Sequence, residues 1–184
     1  MKLLFDAGHG LGNRHRDVMD PGAEANGTSE HAEVQLLRSD VVARLDGRIE
    51  VLLVPNNNKT LHDKGAFIRD NFAADDVLLS LHLNAATPAA TGAEILFDDQ
   101  KPQNKAEAKR LVTAYCKKTG LKNRGAKPDT ESHEGNVFIL GQCPGRGYLL
   151  ECGFISNAGD LATVRSDAAS AITDVLLDLF DVAQ

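Results

Sequence analysis

Two histidines and two glutamates in this chain fall where their side chains can converge on one reacting atom. The stretch "LLFDAGHGLG", Leu3 to Gly12, runs from apolar residues into Asp6 and then sets His9 between two glycines. The run from Val77 closes as "SLHLNA", with His82 and Asn84, and the run from Tyr148 closes as "LLECGF", with Glu151. Glu30 stands at the start of an amphipathic stretch. Two imidazoles and a carboxylate are a common Zn2+ set that leaves a fourth position for water. Zinc lowers the pKa of bound water to about 7, so hydroxide is available at neutral pH. A second carboxylate nearby can take and return the proton. His9, His82, Glu30 and Glu151 meet that demand, one glutamate as ligand and the other free. There is no H-E-x-x-H, so the histidines cannot come from one helical turn. Gly8 and Gly10 permit unusual backbone angles and close approach around His9, although glycines also serve a plain strand-to-loop turn.

The elements that would carry these residues are readable in the apolar pattern. Lys2–Phe5, Glu50–Val54, Val77–Leu83, Ala93–Phe97, Val137–Leu140 and Tyr148–Glu151 are short, nearly continuous apolar runs, the mark of strands buried on both faces. Between them, His31–Leu45 has Val34, Leu37, Val41 and Leu45 at helical spacing, stopped by Asp46-Gly47. Thr60–Phe72 begins T-x-x-D, a capping-box variant. Asn104–Thr119 is a third helix ending at Gly120, and the tail from Leu161 to Leu179 is a fourth, split near Ser166. Strands alternating with helices predict an α/β fold: a single domain over residues 1–184, with a twisted, mostly parallel sheet and helices on both faces. In such sheets ligands bind beyond the carboxyl ends of the strands. His9, His82 and Glu151 each follow an apolar run, so three strands deliver them to one edge. A lone strand histidine is more often a core residue than a ligand. The recurrence at equivalent strand ends argues for chemistry.

Composition narrows the class. A net charge of −6 argues against a general nucleic-acid binder. Three widely spaced cysteines do not form a disulfide framework. No stretch approaches the roughly 20 apolar residues that span a bilayer, so no membrane insertion is expected. Asp6 interrupts any signal-peptide core. The expectation is synthesis in the cytoplasm without an export signal.

Six short motifs occur in order: "DAGHG" near the start, "DPGA" at Asp20–Ala23, "SLHLNA" at Ser80–Ala85, "GAEILF" at Gly92–Phe97, "NRGAK" at Asn123–Lys127 and "LLECGFISN" at Leu149–Asn157. In them the chain resembles the zinc-dependent N-acetylmuramoyl-L-alanine amidases of the type 3 family, found in bacterial cell-wall hydrolases and phage endolysins. The resemblance spans roughly Lys2 to Phe180. It implies a twisted, mostly parallel sheet wrapped by helices. It implies one zinc ion held by His9, Glu30 and His82, with Glu151 catalytic. The implied reaction is hydrolysis of the amide between the lactyl group of muramic acid and L-alanine in peptidoglycan or its muropeptides.

Glu24 and Glu33 compete with Glu30 by proximity; Glu30 is preferred because it follows Gly27 and opens the helix. Cys152, beside Glu151, is assigned to packing on the opposite side of the strand. His15, His31 and His62 are read as surface residues. Asn84 is expected to bond substrate or a ligand, and Arg124 to hold a substrate carboxylate as a bidentate fork. "TESHEG", Thr130–Gly135, reads as a solvated loop, with His133 and Glu134 as alternative substrate contacts. Two other functions fit less well: a zinc peptidase cutting within the stem peptide, and a non-catalytic wall-binding or regulatory domain. No separate wall-binding domain is visible. With no export signal either, an endolysin-like enzyme is favoured over one that recycles wall fragments inside the cell.

Overall fold

The computed structural model describes residues 1–132 and 135–182. His133 and Glu134, the alternative substrate contacts in the Thr130–Gly135 segment, lie outside the described residues. In chain order the elements are β1 (Leu3–Ala7), β2 (Gly10–Leu11), β3 (Met19–Asp20), β4 (Glu24–Ala25), β5 (Thr28–Ser29), α1 (Glu30–Leu45), β6 (Val51–Leu53), α2 (Leu61–Asn71), β7 (Val77–Asn84) and β8 (Ala93–Phe97). They continue with α3 (Lys105–Thr119), β9 (Asn123–Pro128), α4 (Phe138–Gln142), β10 (Arg146–Phe154), α5 (Ala158–Thr163) and α6 (Ala169–Leu179). Six strands form one sheet in the order β6-β1-β7-β10-β8-β9. All neighbours are parallel except β10 and β8. The fold is the predicted α/β class with a mostly parallel sheet. The pairs β2–β3 and β4–β5 are small hairpins in the connection from β1 to α1.

The near-continuous apolar runs reflect burial on both faces. On one face Leu3, Phe5, Leu79, Leu81, Ile95, Tyr148 and Leu150 pack with α1, α3 and α6 through residues such as Val34, Leu111 and Ile172. On the other, Leu4, Leu78, Leu96 and Leu149 pack with α2 and α4 through Ile68, Ile139 and Leu140. Truncating such a residue to alanine costs about 2–5 kcal/mol. The helix ends follow the local chemistry read from sequence. Thr60 and Asp63 form the reciprocal capping box of α2, and α1 stops at Asp46 in the left-handed conformation. The break near Ser166 is a π-helical turn, Val164–Ala168, between α5 and α6.

Two elements differ from the sequence reading. Val137–Leu140, expected as a strand, contributes to helix α4. Four apolar residues in a row do not distinguish a strand from one buried helical turn. Here Phe138 meets His62 of α2 edge-on, and Ile139 and Leu140 fill the second core. The strand that does exist, β9, was not anticipated. It lies at the sheet edge and reads N-R-G-A-K-P, with no apolar alternation to betray it.

Candidate metal centre

The site is built at the carboxyl ends of β1, β7 and β10, where the sequence placed it. His9 follows β1 in a left-handed conformation, φ 62°. That conformation is costly for a residue with a side chain, and it persists only where the surroundings impose it. They do so from below. Lys64 of α2, 1 % exposed, points its Nζ at the carbonyls of Ala7 and His9, both at 3.4 Å. Its charge is met by Asp6 Oδ1 at 3.2 Å, and Asp6 Oδ2 accepts from Ser80 Oγ at 2.7 Å. Two glycines around the site, Gly8 and Gly22, now have a definite reason. A Cβ on Gly8 would stand 2.3 Å from His82 Cε1. A Cβ on Gly22, which is at φ +68°, would stand 2.7 Å from both Glu30 Oε2 and His9 Cδ2.

Glu30 is the first residue of α1, capped by Ser29, where the helix dipole favours an anion. Its carboxylate bridges the histidines, with Oε2 3.0 Å from His9 Nε2 and Oε1 2.8 Å from His82 Nδ1. Backbone N–H groups of Leu83 and Ala23 donate to the same two oxygens. Burial pushes the Glu30 carboxyl up, but the two imidazoles outweigh it and hold the group well below the usual carboxylate range. For His9, burial pushes the imidazole down, and bonds to Glu30 and Asp20 more than compensate, leaving it above its ordinary value.

One potential ligand atom from each of His9, Glu30 and His82 lies within 4.8 Å of the other two. Two imidazole nitrogens and a carboxylate oxygen, in a cradle cleared of Cβ atoms by Gly8 and Gly22, fit a borderline-soft divalent cation such as zinc. The outer side is organised too. Asp20 Oδ2 lies 3.2 Å from His9 Nδ1, and its carboxylate also accepts from Asn13 Nδ2 and Gly22 N. A carboxylate behind a histidine fixes its tautomer and ring orientation.

Glu151 occupies the position on β10 directly across from His82 on β7 and from Glu94 on β8. The four residues the sequence singled out for chemistry are therefore gathered at one edge. The competitors are not. Glu33 is engaged by Arg165, at 2.6 and 3.0 Å, and by Thr28, while Glu24 is exposed. Cys152 is fully buried in the first core, and burial pushes its thiol up. His15 and His62 are exposed as expected. His31 is half-buried, with Nδ1 3.4 Å from the Gly8 carbonyl. Asn84 lies beside the site with its polar atoms engaged internally: Nδ2 donates to Glu94 and Oδ1 accepts from Ala85 N. Arg124 donates through Nε to Glu94 and stacks over the Phe154 ring at 4.9 Å. Sequence reasoning gave no role to Asp20, Lys64, Glu94 or Lys127. Asp20 and Glu94 lie within the "DPGA" and "GAEILF" motifs, the one signal that marks them.

Fold and site together define an α/β enzyme with a His–Glu–His cluster at the carboxyl edge of its sheet. The chain belongs to the N-acetylmuramoyl-L-alanine amidase family, whose model matches residues 3–176. Among solved structures it is similar to a Neisseria meningitidis protein assigned as an N-acetylmuramoyl-L-alanine amidase. The identity is 31%, with 98% of this chain and 96% of that one covered and a TM-score of 0.76. The catalytic domain of CwlV, an N-acetylmuramoyl-L-alanine amidase from Bacillus (Paenibacillus) polymyxa var. colistinus, matches at 24% identity over 100% of both chains, with a TM-score of 0.79. The catalytic domain of the CD27L endolysin, targeting Clostridia difficile, matches at 21% identity over 100% of this chain and 99% of that one, with a TM-score of 0.70. These last two likenesses are likenesses of fold. No curated protein matched the chain. Among the described residues, no helix is long and apolar enough to cross a membrane.

Proposed function

We propose that the chain hydrolyses the amide between N-acetylmuramic acid and L-alanine of peptidoglycan, using one zinc ion held by His9, Glu30 and His82. The observation that carries this reading is the convergence of their three ligand atoms within 4.8 Å, with Glu151 on the adjacent strand position. Bound there, zinc supplies a Lewis acid that makes water more acidic and polarises the amide carbonyl. Glu151 accepts the proton of the attacking water as its oxygen bonds to the lactyl carbonyl carbon. It then delivers that proton to the nitrogen of L-alanine as the C–N bond breaks. Asp20 holds the His9 ring by its Nδ1, and the Lys64–Asp6 pair holds the backbone beneath it.

Action as a phage or prophage endolysin, on a wall reached after release from the cytoplasm, is part of the proposal. The fold likeness to an endolysin catalytic domain is compatible with it. The test is a digest of purified peptidoglycan followed by mass spectrometry, with metal analysis of the same preparation. New free L-alanine amino termini and about one zinc per chain are expected. Cleavage between stem-peptide residues would replace the amidase reading with a peptidase. Comparing intact sacculi with soluble muropeptides tests the endolysin role, which requires cleavage of sacculi.

A further inference from the structure

Beside Glu151 the sheet carries a second polar group that the hydrolysis itself does not use. Glu151 pairs with Glu94 across the antiparallel β10–β8 ladder. Like charges directly opposite each other in a sheet are unfavourable unless one is compensated. Glu94 is compensated twice over. Its Oε2 accepts from Arg124 Nε at 2.9 Å and from Lys127 Nζ at 2.6 Å, and its Oε1 accepts from Asn84 Nδ2 at 3.0 Å. Arg124 and Lys127 both reach it because β9 slips by a residue against β8: Ala93 pairs with Asn123, but Ile95 pairs with Ala126. Gly125, at φ +93°, sits in that bulge.

Glu94 takes one hydrogen bond from each cation, so neither Arg124 nor Lys127 is exhausted by it. Glu94 is nearly buried, with 9 % of its side chain exposed, whereas Arg124 and Lys127 are 31 % and 30 % exposed. Arg124 also lies over the Phe154 ring, its Cζ 4.9 Å from the centroid. Its terminal nitrogens make no hydrogen bond to a described residue, so the guanidinium fork is fixed in place and still able to bind. A positioned, half-exposed fork with an ammonium beside it is suited to a carboxylate.

We propose that Arg124 and Lys127, anchored by Glu94, form a carboxylate-recognition subsite that selects stem peptides bearing a free carboxylate close to the scissile amide. This rests on the amidase reading and adds substrate preference to it. Glu94 is a positioning residue here, and the two cations make the contact. Neighbouring strands lie about 4.8 Å apart. The subsite on β9 is two strands from Glu151, so it would receive the residue after L-alanine while Glu151 faces the bond that breaks.

The experiment compares two synthetic muramyl peptides that differ only in the residue after L-alanine, one with a free α-carboxylate and one with the carboxamide. Steady-state kinetics are measured for the wild type, Arg124→Ala, Lys127→Ala and Glu94→Gln, each with its melting temperature and zinc content. A charge-assisted contact is worth about 10–100-fold, and the wild type is expected to favour the carboxylate by that factor, through KM. Arg124→Ala and Lys127→Ala should each shrink the preference with kcat largely kept. Glu94→Gln should lower it too, and Arg124→Lys should restore part of what Arg124→Ala loses. Equal KM for the two peptides in the wild type overturns the subsite, as does a preference that persists in both cation variants. Cleavage of neither peptide by zinc-loaded wild type overturns the amidase reading itself, and the subsite with it. Because the wild-type comparison of the two substrates tests the subsite by itself, a variant that fails to fold does not shield the proposal.

Discussion

Glu30 Oε1 lies 2.8 Å from His82 Nδ1, although 52 residues separate them in the chain. The contact joins the first turn of α1 to the end of β7 and fixes which glutamate faces the histidines. It yields a paired prediction. Glu30→Ala should abolish stoichiometric zinc binding and hydrolysis. Glu33→Ala, one turn along, removes the ion pair to Arg165 and the hydrogen bond from Thr28 and should retain both. Metal content of the two purified variants decides the matter. Zinc lost from Glu33→Ala and kept by Glu30→Ala would shift the ligand by one helical turn.

Asp20 touches His9 on the side away from Glu30. Removing such an outer partner typically costs about 10–100-fold in metal affinity or activity. Asp20→Ala should therefore weaken zinc binding by that order, measured by competition with a chelating dye. Unchanged affinity would mean that the His9 ring is held in place without Asp20.

The Lys64–Asp6 pair is buried beneath the His9 backbone. Lys64→Met leaves Asp6 without its cation and the two carbonyls without their donor, a change worth about 3–5 kcal/mol for a buried pair broken on one side. Denaturant unfolding should show that loss. The double variant Lys64→Met, Asp6→Asn should recover part of the stability but not the zinc affinity, because the Ala7 and His9 carbonyls still lack their clamp. Full recovery of both would restrict Lys64 to charge balance.

Away from the site, Glu107 accepts from Arg146 through both oxygens, at 2.9 and 2.8 Å, and from Tyr148 at 2.6 Å. Burial pushes its carboxyl up; those bonds and the charges of Arg146 and Arg110 outweigh burial and hold it below its ordinary value. A carboxyl depressed in the folded state stabilises above the unfolded value, about 4.3, and the gain is lost as pH falls through the folded value. The melting-temperature gap between wild type and Glu107→Gln should be widest near neutral pH and close progressively below about pH 4. A gap that does not change with pH would assign the effect to packing.

How far these features were legible in the sequence follows from what each depends on. Strands buried on both faces announce themselves as apolar runs, so β1, β7, β8 and β10 and the edge where His9, His82 and Glu151 meet were visible. Alternation along β7 sets Ser80, His82 and Asn84 on the side opposite Leu79, Leu81 and Leu83 of the first core, and the Ser80–Asp6 bond agrees with it. Lys64 was invisible because a lysine on an amphipathic helix reads as solvent-facing unless its distant partner is known. Strand β9 was hidden by its edge position and its bulge, and with it went the reason for Glu94. The helix Phe138–Gln142 was misread because a single buried turn is too short to show a 3.6-residue period.

The central claim is tested most directly by the turnover of Glu151→Gln measured together with its zinc content and melting temperature. The amide keeps the shape of the side chain across from His82 and removes its basicity. The account predicts a folded protein with zinc at the wild-type level and binding of muropeptide intact. It predicts kcat for release of L-alanine amino termini lowered about 10²–10⁴-fold or more. A variant with lowered stability whose folded fraction turns over at the wild-type rate would contradict it, making Glu151 a structural residue of the strand.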